Sequence, residues 1–495
     1  MQEKLKKRGK KNQKKYYVTT AIDYVNAEPH IGHAYQKIIA DVLARWHKLL
    51  GYNVWLLTGT DEHGKKIAFA AKAAGLSEKE FVDKLAAKFK ESWDKLDINY
   101  SRFIRTTDKD HEAFVIEFVK KVNEKGDIYK GFYEGYYCTQ CEAYYTEKDL
   151  IDGSCPIHKI KIEKLREESY FFRLSKYQNK LLVLYAKHPE FILPETRRNE
   201  IVNRVKEGLQ DLSITRTGFS WGIPFPSSTK HVVYVWFDAL LNYITGAGKQ
   251  KEFWPADIHL LGKDNGWFHA VIWPAMLMSA GYKLPKTVFI HGFLTVNGQK
   301  ISKSLGNVIS PIYLVNTYGA DSVRYFICRN FVFGEDGDFS EQKLIERHNN
   351  ELADKLGNLV ARIAGLAKNL EIKKTKIISE FKEVFNKKIK QIKEEMNNYK
   401  INHALASIFE LVDFCNAYIQ ENQLWKQDKE KLSQNLYTIA EGIRIIVILL
   451  WPFIPATCEK IAKQYGFEIK SMSDCKFGIK ESYKIETSEI LFKKI

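Results

Sequence analysis

Apolar and polar positions change their period several times along the chain, and each change marks an element. From Tyr17 a short apolar run reads as a strand to about Thr20. A helical period follows from about Gly32 to Leu50, closed by Gly51, and "NVWLLTG" reads as a second strand. Helices are then predicted from about Lys65 to Leu96. Strand, helix and strand joined by short turns imply a parallel sheet with helices packed on it. In the first helix Ile38, Ile39, Val42, Leu43, Trp46, Leu49 and Leu50 share one face at 3.6 spacing. Lys37, Arg45 and Lys48 fall elsewhere.

Between about 128 and 175 the texture becomes aromatic, with short glycine-punctuated strands, as an insertion would be. Parallel-sheet texture resumes at "HVVYVWFDALLNYI" and "DIHLLGKDNGWFHAVIWPAML" and continues to "KTVFIHGFLTVNGQKISKS". After about Ser340 the pattern is helical, with Leu352, Leu356, Leu359, Ile363 and Leu366 stepping by four and three into a predicted bundle. The lysine-rich segment 373–400 keeps regular apolar positions and is expected to be a solvated helix face. No internal repeat is visible. The longest apolar run, Ile445 to Ala456, is about a dozen residues with two prolines, short of the roughly 20 a bilayer span needs, and reads as a buried helix end.

At 495 residues, 45% hydrophobic and 27% charged, the composition is that of an ordinary globular chain with two to four domains. The balance of 76 Lys and Arg against 60 Asp and Glu, a formal +16, favours a polyanionic partner without requiring one. The first 15 residues form a basic polar arm with no apolar signal core. Seven cysteines, three of them clustered with a histidine, fit a reducing compartment, so a cytoplasmic protein is expected.

Candidate chemistry lies in three places. His30 and His33 flank Gly32 where a turn enters a helix N-terminus, a place that favours anions because its N–H groups have no helical partner. Taken alone the pair could be a turn, part of a metal site lacking a third ligand, or a phosphate grip. Far downstream, Asn297-Gly298 marks a tight turn, and Lys300, Ser302, Lys303 and Ser304 follow on a polar loop able to swing onto a polyphosphate. Cys138 and Cys141, then Cys155 and His158, form two hooks 13 residues apart. Four such ligands can close a tetrahedral structural Zn²⁺ site, leaving no open position for catalysis. The other cysteines, Cys328, Cys415, Cys458 and Cys475, are scattered and expected to be buried.

With H-I-G-H at 30–33 and K-I-S-K-S at 300–304, the sequence resembles the class I aminoacyl-tRNA synthetases, Ile301 standing where their commonest form has Met. The segments "AIDYVNAEPHIGH", "TGTDEHGKKI", "DLSITRTGFSWGIPFP", "YVWFDALLNYI", "LLGKDNGWFHAVIWPAML" and "HGFLTVNGQKISKSLGN" extend the resemblance to the methionyl-tRNA synthetases, over about 17 to 465. The resemblance implies a split Rossmann-type parallel-sheet catalytic domain (16–117 and 231–325) after a basic arm (1–15). It further implies a connective insertion (118–230) with a zinc knuckle at about 132–165, a linking stem-contact region (326–350) and an α-helical anticodon-binding domain (351–495).

It implies an ATP- and Mg²⁺-dependent methionine-tRNA ligase that makes methionyl-adenylate and passes it to the terminal adenosine of tRNA(Met), initiator included. His30, Gly32, His33, Gly262, Asp264, Lys300, Ser302, Lys303 and Ser304 would serve ATP. Ile22, Tyr24, Asp61, Trp236, Leu240, Tyr243, Phe268 and His269 would form the methionine site, with Asp61 on the ammonium and Leu240 where some members have Pro. Asn358, Arg362 and Trp425 match the anticodon readers. Synthetases for Leu, Ile or Val carry a large editing insertion for which the interval between the two motifs is too short. A cysteinyl enzyme needs a cysteine just before the first motif, and none precedes His30. A zinc protein that only binds nucleic acid would leave both phosphate motifs idle. A short bacterial-type form without a dimerising C-terminal extension is expected, hence a monomer without a membrane anchor.

Overall fold

The computed structural model describes residues 13–495 except 139, 141, 142, 146, 163, 250, 302–305, 369 and 486–489. Its central sheet has seven parallel strands: β1 (Lys15–Thr20), β2 (Asp23–Tyr24), β3 (Asn53–Asp61), β4 (Arg102–Arg105), β5 (Ile192–Leu193), β6 (Ile258–Gly262) and β7 (Thr287–His291). Their order is β2-β3-β1-β6-β7-β5, with β4 also paired to β3. All of β6 and β7 and five of the six residues of β1 are buried, as parallel strands covered on both faces must be. Because β1 pairs with β3 on one side and β6 on the other, strand order switches direction beside it. In open α/β sheets the crevice at the carboxyl ends of such strands is the ligand site.

The first helix, α1 (Ile31–Leu49), covers this sheet, and its polar face is largely buried too. Lys37 and Arg45 are buried, and only Lys48 is exposed. The second face of α1 meets the helix Ala320–Asn330, so charges there are paired rather than hydrated. Lys37 Nζ reaches Asp23 Oδ1 at 2.6 Å, and Arg45 Nε reaches Asp41 Oδ2 at 2.7 Å. Arg324, wholly buried, donates to Asp41 Oδ2 (2.7 Å) and to the carbonyls of Leu96, Pro452 and Phe453 (3.2, 2.8 and 2.9 Å). One guanidinium thus ties α1 to the end of the helix Lys429–Leu450.

The aromatic insertion is an antiparallel sheet in the order Ala143–Tyr145, Ile128–Cys138, Lys164–Phe172, Leu212–Ser213. Its outer limits differ from the sequence reading. Helix Lys109–Glu124 runs through position 117, and β5, inside the expected insertion, pairs with β7 of the central sheet. Local pattern cannot reveal the second, because a two-residue strand has no period.

The C-terminal part is a bundle built on Ser379–Asn397, Ile401–Glu421, Lys429–Leu450 and Pro455–Gln464. Leu352, Leu356, Leu359 and Ile363 are fully buried, although the stretch His348–Gly357 is wound wider than an α-helix, with i→i+5 bonding. On Ser379–Asn397 the buried side chains are Phe381, Phe385, Ile389, Ile392 and Met396, while Lys382, Lys387 and Lys390 are exposed, matching the solvated-face reading. Helix Lys429–Leu450 has the length and hydropathy of a membrane span, but 83% of its apolar window is buried in the fold, so it is a core helix. Cys328, Cys415, Cys458 and Cys475 are buried thiols, as expected.

Candidate active site

His30 caps α1. Its Nδ1 accepts from Gly32 N at 3.1 Å, and Nδ1 of His33 accepts from His30 N at 3.2 Å, a reciprocal box that satisfies two donors of the first turn. A ring nitrogen that accepts from a backbone N–H carries no proton, so each imidazole keeps its proton on Nε2. Burial, reinforced by Lys37, lowers His30 to about 4; burial, with His30 and Lys37, holds His33 well below its usual value. The rings lie 3.8 Å apart. The result is two neutral N–H donors at a helix N-terminus, which answers the metal alternative: the Nδ1 positions are already engaged by backbone.

The lysine loop lies against this turn. A Cβ on Gly32 would come within 3.0 Å of the His30 ring and 3.6 Å of Ile301 Cδ1, so a side chain there would crowd both motifs. On the far flank, Ile31 N donates to Ile309 O at 3.0 Å. Asn297 and Gly298 both have positive φ, 53° and 73°, as the tight turn requires, and pair Thr295 with Lys300. Lys300 is exposed. Ser302, Lys303 and Ser304 lie outside the described residues.

At the end of β6, a Cβ on Gly262 would sit 2.8 Å from Asp264 Oδ1, so a larger residue there would push that carboxylate aside. The paired position on β7, His291, escaped the sequence reading. Its Nδ1–H donates to Gly292 O at 2.7 Å, which leaves buried Nε2 as an acceptor with no partner among the described residues; burial lowers it to about 4.

The eight expected methionine-site residues come from three places: the β1 end and β2, the β3 end, and the helical segments at 235–245 and 268–280. Trp236 stacks on Phe268 with centroids 3.8 Å apart and planes 6° apart. Tyr243 donates its hydroxyl to His269 Nε2 (2.6 Å), whose Nδ1–H donates to Asn265 O (3.0 Å). His269 is therefore neutral, and burial lowers it to about 4. Leu240 and Tyr243 are buried, Asp61 lies buried at the end of β3, and Ile22 and Tyr24 are half-buried at the β1 end. Buried Lys37, paired to Asp23 and donating to Ala21 O at 3.1 Å, fixes that last segment; burial pushes the Asp23 carboxyl up and the Lys37 ammonium down, each resisted by the other's charge.

Phe268 and His269 open a wide turn, Phe268–Ile272, ahead of Trp273-Pro274. Pro274 offers no N–H to Ala270 O, and the hydroxyl of Tyr185 takes that acceptor at 2.7 Å. Tyr185 thus anchors the aromatic wall from the insertion side, a role with no signature in its own neighbourhood.

A family model described as "tRNA synthetases class I (M)" matches residues 16–164 and 147–364, and one described as "Anticodon-binding domain of tRNA ligase" matches 379–494. The methionine--tRNA ligase of Caldanaerobacter subterraneus subsp. tengcongensis is 45% identical, covering 97% of this chain and 79% of its own length; that of Thermotoga maritima is 45% identical, covering 97% and 80%. A solved Mycobacterium tuberculosis methionyl-tRNA synthetase in complex with methionyl-adenylate has a TM-score of 0.92 at 38% identity, over 97% of this chain and 100% of that one. The chain belongs to the methionyl-tRNA synthetase family.

As a class I methionyl-tRNA synthetase family member it is an ATP-dependent ligase, and two further regions take their meaning from that. In the insertion, the ligand atoms of Cys138, Cys155 and His158 lie within 4.8 Å of one another, Nδ1 of His158 being 4.0 and 3.9 Å from the two sulfurs. Three corners of a tetrahedron around one zinc ion fit these spacings. The fourth expected ligand, Cys141, lies outside the described residues. Elemental analysis should give one zinc per chain, and Cys155→Ser should lower it and speed amide exchange across residues 128–172. Unchanged exchange in the variant would reject a structural metal.

In the bundle, Asn358 and Arg362 are exposed one turn apart, opposite buried Leu359 and Ile363. Helix Ile401–Glu421, joined to the stretch before Asn358 through Asn416 Nδ2 to Lys355 O (3.1 Å), leads into the turn Leu424–Lys426. Buried Leu424 plugs that turn and Gln427, Asn435 and Tyr418 brace it by hydrogen bonds, leaving Trp425 50% exposed. Trp425→Ala should raise the KM for tRNA by about 5- to 150-fold, the loss of one stacked base at roughly 1–3 kcal/mol, and leave methionine-dependent exchange intact. Equal KM for tRNA in both proteins would return Trp425 to an ordinary surface residue.

Proposed function

We propose that this chain carries out its family's reaction through the residues gathered at the carboxyl ends of β1, β3, β6 and β7. Methionine is activated by ATP to methionyl-adenylate with release of pyrophosphate, and the methionyl group is then transferred to the terminal adenosine of tRNA(Met), initiator included. The observation that carries the reading is the pair of neutral imidazoles capping α1, each with its proton on Nε2, on a turn whose Gly32 and Ile31 lie against Ile301 and Ile309 at the two flanks of the lysine loop.

The methionine carboxylate needs no general base, being ionised at neutral pH, so the site's task is orientation and charge stabilisation. Asp61 holds the ammonium. Trp236, Phe268, Leu240, Tyr243 and His269 enclose the thioether, which offers only shape and a polarisable sulfur, with Ile22 and Tyr24 closing the near side. Gly262 lets the nucleotide approach the sheet beside Asp264. His30 and His33 donate to phosphate oxygens as negative charge builds, Gly32 leaves them room, and Lys300 with Ser302, Lys303 and Ser304 bear on the departing pyrophosphate. Mg²⁺ bound with ATP supplies further charge neutralisation. In the second step a ribose hydroxyl of the terminal adenosine attacks the adenylate carbonyl. Zinc held by Cys138, Cys141, Cys155 and His158 has a structural role. Asn358, Arg362 and Trp425 read the anticodon, unstacked bases being recognised by stacking and by hydrogen bonds along their edges. We take the enzyme to act as a monomer and place it in the cytoplasm.

ATP and pyrophosphate exchange should be stimulated by methionine and not by leucine or cysteine; no exchange with any of them would overturn the reading. Lys303→Ala should abolish exchange while methionine binding persists, and unaltered exchange would remove the loop from the mechanism.

A further inference from the structure

The turn after β3 is held more firmly than a surface turn needs to be. Glu62 accepts from Arg105 through both oxygens (2.7 and 2.9 Å) and from Thr60 and Thr107 (2.6 and 2.5 Å), while Thr106 and Trp221 bind its backbone (2.9 and 2.6 Å). These bonds fix where Asp61 stands. His63, one residue on, leaves the turn altogether: its Nδ1 lies 2.7 Å from Asp238 Oδ2. The other oxygen of Asp238 lies 2.7 Å from His111 Nε2, and His111 Nδ1 is 2.9 Å from Thr245 Oγ1. His63, Asp238 and His111 are at most 4% exposed.

Asp238 sits on the short helix Val235–Ala239, two residues after Trp236 and two before Leu240. Through His63 this buried carboxylate joins the turn that carries Asp61 to the helix that carries Trp236, and through His111 it is braced from the helix Lys109–Glu124. Burial alone would lower His63, but the hydrogen bond and charge of Asp238, with Glu112 and Glu62 more distant, raise it. Burial likewise disfavours the Asp238 carboxylate, yet His111 and His63 hold it low. The link is thus charge-assisted, the stronger kind of hydrogen bond.

We propose that His63 and Asp238, braced by His111, are positioning residues that set the distance between the ammonium end and the thioether end of the amino-acid pocket, and so its selectivity for side-chain length. This rests on the methionine site proposed above. Met makes only apolar contacts along its chain, and apolar pockets discriminate weakly, by about 10- to 200-fold per methylene. A pocket of this kind needs its two ends held at a fixed span, because a displacement of about 1 Å can cost on the order of 100-fold.

The experiment measures exchange kinetics with methionine and with its shorter and longer homologues S-methylcysteine and ethionine. His63→Ala is expected to raise the KM for methionine about tenfold or more, leave the KM for ATP near the parent value, and narrow the preference for methionine over both homologues. His63→Asn, whose amide can still donate from the Nδ1 position, is expected to restore most of both. Asp238→Asn, nearly isosteric, serves as the second lesion if His63→Ala does not fold. Trp236→Ala and Asp61→Asn are run alongside. If they raise the KM for methionine while breaking the His63–Asp238 link alters neither KM nor preference, the inference is overturned and the pocket stands. If they too leave methionine kinetics unchanged, the pocket assignment fails and takes the inference with it. KM for ATP rising in step with KM for methionine, unrescued by asparagine, would mark a merely structural role and also overturn it.

Discussion

Asparagine in place of His33 is expected to cut methionine-dependent pyrophosphate exchange by about 10²- to 10³-fold, the usual loss for one donor to a charge-developing oxygen. The structure allows this to be separated from helix capping. His33 Nδ1 accepts from His30 N, closing the box on α1, and an asparagine Oδ1 can occupy nearly the same position. It cannot place a donor where Nε2–H stands. His33→Asn should therefore keep its thermal stability and its KM for methionine while losing kcat. His33→Ala should lose both kcat and about 0.5–2 kcal/mol of stability, the worth of a lost cap. Exchange by His33→Asn within about threefold of the parent would confine His33 to capping and leave the anion site to His30 and the lysine loop.

The largest loss of stability is expected at Arg324. Arg324→Met should cost about 3–5 kcal/mol, because it takes one of its two guanidinium partners from the wholly buried Asp41 carboxylate, leaving Arg45, and strands several buried carbonyls that the guanidinium now satisfies. Arg324→Lys keeps the charge but offers one point donor instead of a planar fork and should fall between the two. The second substitution Asp41→Asn added to Arg324→Met should deepen the loss, because it takes from buried Arg45 the carboxylate it meets at 2.7 Å. Urea denaturation followed by tryptophan fluorescence measures all three. A parent-like midpoint for Arg324→Met would mean that water replaces the guanidinium at no cost.

How much of this was legible in the sequence follows from which signals are local. The β1-α1-β3 unit, the NG turn and the heptad-like leucines each declare themselves within a dozen residues, and the structure keeps them. The His30–His33 pair also declared itself, but its meaning did not. The proton positions depend on which backbone N–H each Nδ1 accepts, and that is settled by the geometry of one helical turn. The burial of Lys37 and Arg45 was not legible, because a period of 3.6 identifies the apolar face and says nothing of what covers the opposite one; here the Ala320–Asn330 helix does. Tyr185, His63 and Asp238 stayed invisible for a related reason. Each acts on a partner tens to hundreds of positions away, such as the Ala270 carbonyl 85 residues from Tyr185, and no spacing rule spans such an interval.

The guanidinium of Arg324 also has a consequence for synthesis. It meets Asp41 across 283 positions behind it and the Phe453 carbonyl 129 positions ahead. During elongation at roughly 5–20 residues per second, about 6 to 26 s pass between addition of Arg324 and addition of its last acceptor. Throughout that interval the amino-terminal half can form its sheet but carries a buried-to-be cation without its full set of acceptors. The helix that presents His30 and His33 therefore gains the last of its Arg324-mediated ties only once Pro452 and Phe453 have been made.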